Sequence, residues 1–218
     1  IALLIGDSFV QSAQVNPEDG WGRKLSTLFT QNNINLKVLS LGVPGAGTAT
    51  EFELIKKYAP ILKPKVIYLS FLVDNDIFNN HWDLEAKQDK PFYRIQNEKL
   101  VLSWKETPET ESFVLRNSHF SRWLYNKYWK KNEQKRRLEK GGGAPLNFHV
   151  HNNSPDKKWD ESWELTKKIF SQISKYCQSN DISLQIVLTP SHWQISKRKQ
   201  KQIKKQFPSM KYWDIERF

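Results

Sequence analysis

The stretch IALLIGDSFV, residues 1–10, sets five aliphatic residues directly against Gly6, Asp7 and Ser8. A strand with one wet face alternates apolar and polar residues. Ile1 to Ile5 is apolar at every position and needs cover on both faces, as a central strand of a parallel sheet does. Ser8 then lies just past the carboxyl end of that strand, where open α/β sheets hold their ligands and reacting groups.

Working outward, Trp21, Leu25, Leu28 and Phe29 recur at helical spacing, and residues 36–41 (LKVLSL) read as the next strand. Residues 42–47 (GVPGAG) form a turn-rich loop, 48–62 a helix that stops before Lys63-Pro64, and 66–71 (VIYLSF) a third apolar strand. A helix over 159–177 carries Trp163, Ile169, Phe170 and Ile173 and leads to a strand at 184–188. This alternation predicts an α/β protein: a three-layer α/β/α, doubly wound parallel sheet with right-handed crossovers.

Residues 77–158 interrupt the rhythm and are read as a large insertion after the third strand. A hairpin is expected over 94–102 (RIQNEKLVL) and a basic amphipathic helix over 120–140. Residues 1–218 form one domain in this reading. Since the chain starts inside a strand without Met, an amino-terminal segment is expected to precede it. Truncation is expected at the carboxyl end as well. Nothing in residues 1–218 resembles a signal peptide or an apolar run of roughly 18 residues or more, which leaves the compartment open, with a lean to secreted, periplasmic or membrane-anchored. A hydrophobic fraction of 38% is ample for a packed core, so disorder is not the default expectation, and the single cysteine, Cys177, excludes a disulfide within residues 1–218.

The net charge of +11 is local. Residues 127–140 hold seven basic and two acidic residues, 197–211 hold seven basic and no acidic ones, and the remainder is nearly balanced. Two solvated helix faces account for this, and an anionic glycan, phosphate or membrane surface would also suit them. No nucleic-acid partner is expected. Oligomeric state is left open.

Three polar loops follow three successive strands: Gly6-Asp7-Ser8, residues 42–48, and Asp74-Asn75-Asp76. Sheet geometry gathers such loops on one rim. A serine there becomes a nucleophile if a base takes its proton and donors receive the oxyanion, for which a glycine loop supplies bare N–H groups and an asparagine supplies an uncharged donor.

LLIGDSFV, LSLGVPGAGT and VIYLSFLVDNDI, in that order, resemble the nucleophile, glycine and asparagine blocks of the SGNH hydrolases, the GDSL-type esterases and lipases. LQIVLTPS, residues 184–191, resembles the late strand and loop of that fold, so the resemblance spans most of the chain outside the insertion. It implies an SGNH or flavodoxin-like fold and an esterase with Ser8 as nucleophile. The Ser8 N–H, the Gly45 N–H and the Asn75 side chain would form the oxyanion hole, and Asp7 and Asp76 would brace the loops. Val10, where G-x-S-x-G hydrolases have glycine, separates the pattern from their strained elbow.

Two departures matter. Val73 stands where the family usually has glycine, which bears on loop packing. The family's carboxyl-terminal D-x-x-H block, source of its Asp and His, is not found, and the block is expected beyond residue 218. A serine without its general base loses about 10²–10⁴ in rate. His192, following Pro190-Ser191 on the same rim, is the substitute base within the chain, ahead of His81; His149 and His151 read as a glycine-flanked loop rather than a metal pair.

The expected substrate is a small-molecule or glycan ester, with an acetylated carbohydrate favoured, and O-acyl transfer to a glycan hydroxyl is the alternative on the same constellation. A non-catalytic module that binds an anionic polymer is the alternative of a different class. Trp82, Trp104, Trp123 and Trp129 in the insertion suit either core packing or contact with a glycan or acyl chain. No metal and no cofactor is expected: neither a P-loop nor G-x-G-x-x-G occurs, and Pro44 removes an N–H from the glycine loop.

Overall fold

The computed structural model describes residues 1–85, 90–104, 145–151 and 157–208. Its centre is β1 (Ala2–Gly6), entirely buried, flanked by β2 (Val38–Gly42) and β3 (Val66–Leu72), with β6 (Ser183–Thr189) beyond β3. All three pairings are parallel, with Leu3 opposite Leu39 on one side and Ile67 on the other.

Cover for both faces of β1 comes from helices in two layers. Ala2 lies with Phe29 and Leu25 of α2 (Trp21–Gln31), while Leu3 and Ile5 lie in a larger cluster with Phe52, Ile55 and Ala59 of α3 (Thr48–Leu62). Leu165, Ile169, Ile173 and Cys177, at i,i+4 spacing on the long helix α6 (Lys157–Ser179), complete that second layer. The expected three-layer, doubly wound parallel architecture is therefore present.

The strand order β2-β1-β3-β6 has a consequence for function. Chain connections leave β1 and β3 in opposite directions across the sheet, so the crevice at their carboxyl ends is the topological switch point. The first turns after these strands are α1 (Ser8–Gln11) and α4 (Asp76–Asn79). Gly42, at the end of β2, admits α1 closely: a Cβ there would stand 2.1 Å from the Gln11 nitrogen and 2.6 Å from the Val10 carbonyl carbon.

The expected hairpin is β4 (Pro91–Gln96) with β5 (Lys99–Trp104), longer at both ends than its alternation suggested, turning at Asn97 and Glu98, both with positive φ. The described parts of residues 77–158 do not stand apart, since Tyr93 joins the main core and Leu146 and Val150 pack with Phe71 and Val73. Val73 is thus a core residue, which gives the side chain found in place of glycine a packing role. Residues 149 and 151 are also not simply loop: His149 ends the short helix α5 (Leu146–His149) and His151 is fully buried. The helix expected over 120–140 lies outside the described residues. The strand at 184–188 sits at the margin of the described sheet, and its Ile186 and Leu188 are exposed.

Gly42→Ala should lower the urea midpoint by the equivalent of about 1–3 kcal/mol at unchanged m, because the added methyl meets main chain that has no alternative rotamer. Equilibrium unfolding of the two proteins checks this.

Candidate functional site

Asp7 organises the turn after β1. One of its carboxylate oxygens accepts the Phe9 N–H at 2.8 Å, capping α1, and the other accepts from Asn75 Nδ2 at 3.1 Å. Ser8, half-buried, is the first residue of α1. Its N–H has no acceptor among the described residues, and neither has that of Gly45. Gly45 has φ 73°, a left-handed conformation that favours glycine, and its carbonyl accepts from Lys90 Nζ at 2.8 Å.

Asn75 sits at the N-terminus of α4. Its Nδ2 carries two hydrogens, so the bond to Asp7 leaves a second one to donate. Asp76, fully buried, accepts the Leu72 N–H at 2.6 Å and so closes the turn that presents Asn75. The structure therefore joins Asp7 and Asn75 directly and sets Ser8 beside that junction. Ser8 N–H, Gly45 N–H and Asn75 Nδ2 are uncharged donors of the kind that receive an oxyanion.

His192 opens the short helix α7 (His192–Ile195). It is exposed, packs its ring edge-on against Trp193 at 4.6 Å between centroids, and lies near Asp74. Among the described residues no hydrogen bond joins it to Ser8. His81 is buried, its Nδ1 accepting the Asp83 N–H at 3.2 Å and its Nε2 3.5 Å from Glu161. It lines a cleft of about 560 Å³ together with Trp82, Tyr93, Arg94 and Glu161, and neither Ser8 nor Asn75 borders this cleft.

Several residues around the site escaped sequence reasoning. His151 Nε2 lies 3.7 Å from Asp74 Oδ1, immediately before Asn75. Burial pushes the Asp74 carboxyl above its ordinary range, and the neighbouring His151, Ser191 and His192 oppose that shift. His149 instead stacks on Trp159, so the two histidines of the H-x-H pair face different partners, and among the described residues no group of three metal-ligating side chains forms. Asn80 accepts the Ala49 N–H at 2.9 Å and donates to Thr166 at 2.9 Å, tying α4 to α3 and α6. Glu51 and Lys90 are buried beneath the same loops. The signal for these residues lies in tertiary partners far along the chain.

No family model and no curated protein matches the chain. Among solved structures, AlinE4, an SGNH-hydrolase family esterase, is similar over 32% of this chain and 39% of its own, at 23% identity and a TM-score of 0.30. A mutant of that esterase is similar over 95% of this chain and 93% of its own, at 15% identity and a TM-score of 0.35. The acetyl xylan esterase AlAXEase is similar over 97% and 86%, at 14% identity and a TM-score of 0.35.

Asp7→Ala removes both the cap on α1 and the acceptor for Asn75. It should cost about 1–2 kcal/mol in chemical denaturation, the range of a lost N-cap. An unchanged unfolding free energy would mean that Asp7 holds neither loop.

Proposed function

We propose that this chain carries a serine esterase site, in which Ser8 attacks the carbonyl of an acyl ester, with acetyl esters of carbohydrate as the favoured substrates. The observation that carries the reading is the 3.1 Å hydrogen bond from Asn75 to Asp7, which brings the amide after β3 beside the serine after β1 at the switch point of the sheet. An uncharged donor set next to a half-buried serine suits a tetrahedral intermediate better than it suits a permanently charged ligand.

In this mechanism the Ser8 Oγ–C bond forms as the hydroxyl proton passes to a general base. The carbonyl oxygen becomes an oxyanion facing Ser8 N–H, Gly45 N–H and Asn75 Nδ2. Collapse expels the alcohol, which takes the proton back from the base, and water repeats the sequence to release the acid and free Ser8. Within residues 1–218 the candidate base is His192, and a histidine of the D-x-x-H block that the resemblance implies is the alternative. Transfer of the acyl group to a sugar hydroxyl in place of water is the variant of the same chemistry.

One observation favours a second reading. Helix α8 (Lys197–Gln206) exposes Lys197, Arg198, Lys199, Lys201, Lys204 and Lys205 and buries Ile203 against Trp193, a face suited to an anionic polymer. A module of that kind binds in a salt-sensitive way without needing Ser8.

Ser8→Ala should abolish both hydrolysis of p-nitrophenyl acetate and labelling by a fluorophosphonate, while Asn75→Ala should lower kcat about 10²–10³-fold, the usual cost of one oxyanion donor. Intact-mass analysis of chain 1–218, of its His192→Ala variant and of a carboxyl-terminally extended chain locates the base. An adduct on 1–218 that is lost in His192→Ala assigns it to His192, and an adduct on the extended chain alone assigns it beyond residue 218. No adduct on either chain overturns the esterase reading in favour of the binding module.

A further inference from the structure

Three buried carboxyl groups lie beneath the Ser8 and Asn75 loops: Asp7 at the end of β1, Glu51 in the first turn of α3 and Asp76 at the start of α4. They differ in what they receive. Asp7 accepts two hydrogen bonds, from Phe9 N–H and Asn75 Nδ2, and one oxygen of Asp76 accepts the Leu72 N–H. Glu51 is fully buried, and neither of its carboxyl oxygens has a hydrogen-bond partner among the described residues.

The groups that face Glu51 are Asp7 from the β1 turn, Asp76 from α4 and Lys90 from the segment before β4. Lys90 already engages Glu85 and the Gly45 carbonyl. Three like charges in a dry interior, against one cation shared with a fourth carboxylate, repel strongly, and such a cluster relaxes by taking up a proton. Burial also pushes the Asp76 carboxyl well above its ordinary range, with Glu51 and Asp7 adding to the rise, but Asp76 keeps one donated hydrogen bond and Asp7 two, whereas Glu51 has none among the described residues. The proton therefore belongs on Glu51. Burial first, and then the charge of Asp7, push its carboxyl well above the ordinary range.

We propose that Glu51 is a positioning residue for the Ser8–Asn75 site, a neutral acid buried beneath the Asp7 and Asp76 turns that lets the two turns stay together. The inference rests on the reading of Ser8 and Asn75 given above. Because the folded state binds this proton more tightly than the unfolded chain does, the stabilisation is fully present below the carboxyl's value in the unfolded chain and declines as pH rises above it. It is lost as pH rises through the folded-state value, when an ionised Glu51 would force the two turns apart.

Infrared spectroscopy of the full-length protein at neutral pH tests the protonation directly. The wild type should show the carbonyl band of a protonated carboxyl, shifted in D2O and absent from Glu51→Gln. A band that persists in Glu51→Gln would put the proton on Asp76, and no band in the wild type would mean that all three acids are ionised; either result overturns the proposal. For positioning, Glu51→Ala should lower kcat on p-nitrophenyl acetate roughly tenfold or more with KM little changed. Glu51→Gln should restore most of that loss and should flatten the fall in the thermal midpoint with rising pH. A Gln variant as impaired as the Ala variant, or an Ala variant with wild-type kcat, overturns it. Turnover that survives Ser8→Ala overturns the Ser8 reading and the positioning role with it, whereas the infrared band and the thermal midpoint decide the protonation of Glu51 without reference to turnover.

Discussion

The hydrogen bond from Asn75 to Asp7 is the one contact on which the geometry of the rim depends. A parallel sheet brings the ends of β1 and β3 to within a strand spacing of each other, about 4.8 Å, but leaves the loops beyond them free to diverge. Asp7 removes that freedom by spending one oxygen on its own turn and the other on the neighbouring one. Each loop is anchored again from below, through Asp76 to the end of β3 and through Asn80 to α3 and α6. The Asn75 side chain is thus anchored within the protein's own hydrogen bonds, as the proposed oxyanion donor needs if it is to stabilise developing charge at little reorganisation cost.

The same arrangement sets an electrostatic problem. Fixing the loops from beneath requires acceptors inside the protein, and the strongest acceptors are carboxylates, which the interior tolerates poorly. Asp7 and Asp76 are each satisfied in part by N–H donors, and Lys90 brings a positive charge that is itself divided between Glu85 and the carbonyl of Gly45. This leaves the floor of the site polar, tightly packed and sensitive to the placement of one proton. It also connects the glycine loop to the insertion, because Lys90 belongs to the segment leading into β4 while Gly45 follows β2.

The sheet was legible in the sequence because its signals are local. Ile1 to Ile5 and Val66 to Phe71 carry no polar position that would let them face water, and the alternation in RIQNEKLVL marks a hairpin without reference to anything else in the chain. Gly6-Asp7-Ser8 and Asp74-Asn75-Asp76 could be placed on one rim for the same reason, since strand ends dictate where loops emerge. The floor of the site was not legible. Glu51 follows Thr48, Ala49 and Thr50 at the start of a helix, where an acid ordinarily faces solvent and favours the helix dipole, and only docking of α4 over it turns it inward. Asn80 finds its partners 31 and 86 residues away, and His151 reaches Asp74 across most of the insertion. Such pairings depend on which element packs over which, and a single chain read in order carries no mark of them.

The lone cysteine has a practical corollary. Cys177 lies at the end of the i,i+4 row on α6, sealed in the main core, and burial pushes its thiol up to about 11. At neutral pH it holds almost no thiolate, the form that reacts with alkylating and disulfide reagents. The native protein is therefore chemically silent toward such reagents while it stays folded, and any sulfur placed on the rim by substitution, at position 8 or at position 75, would report by itself. Reactivity at Cys177 would in turn signal opening of the core, so one chain offers both a blank background for probing the loops and a built-in indicator of global unfolding.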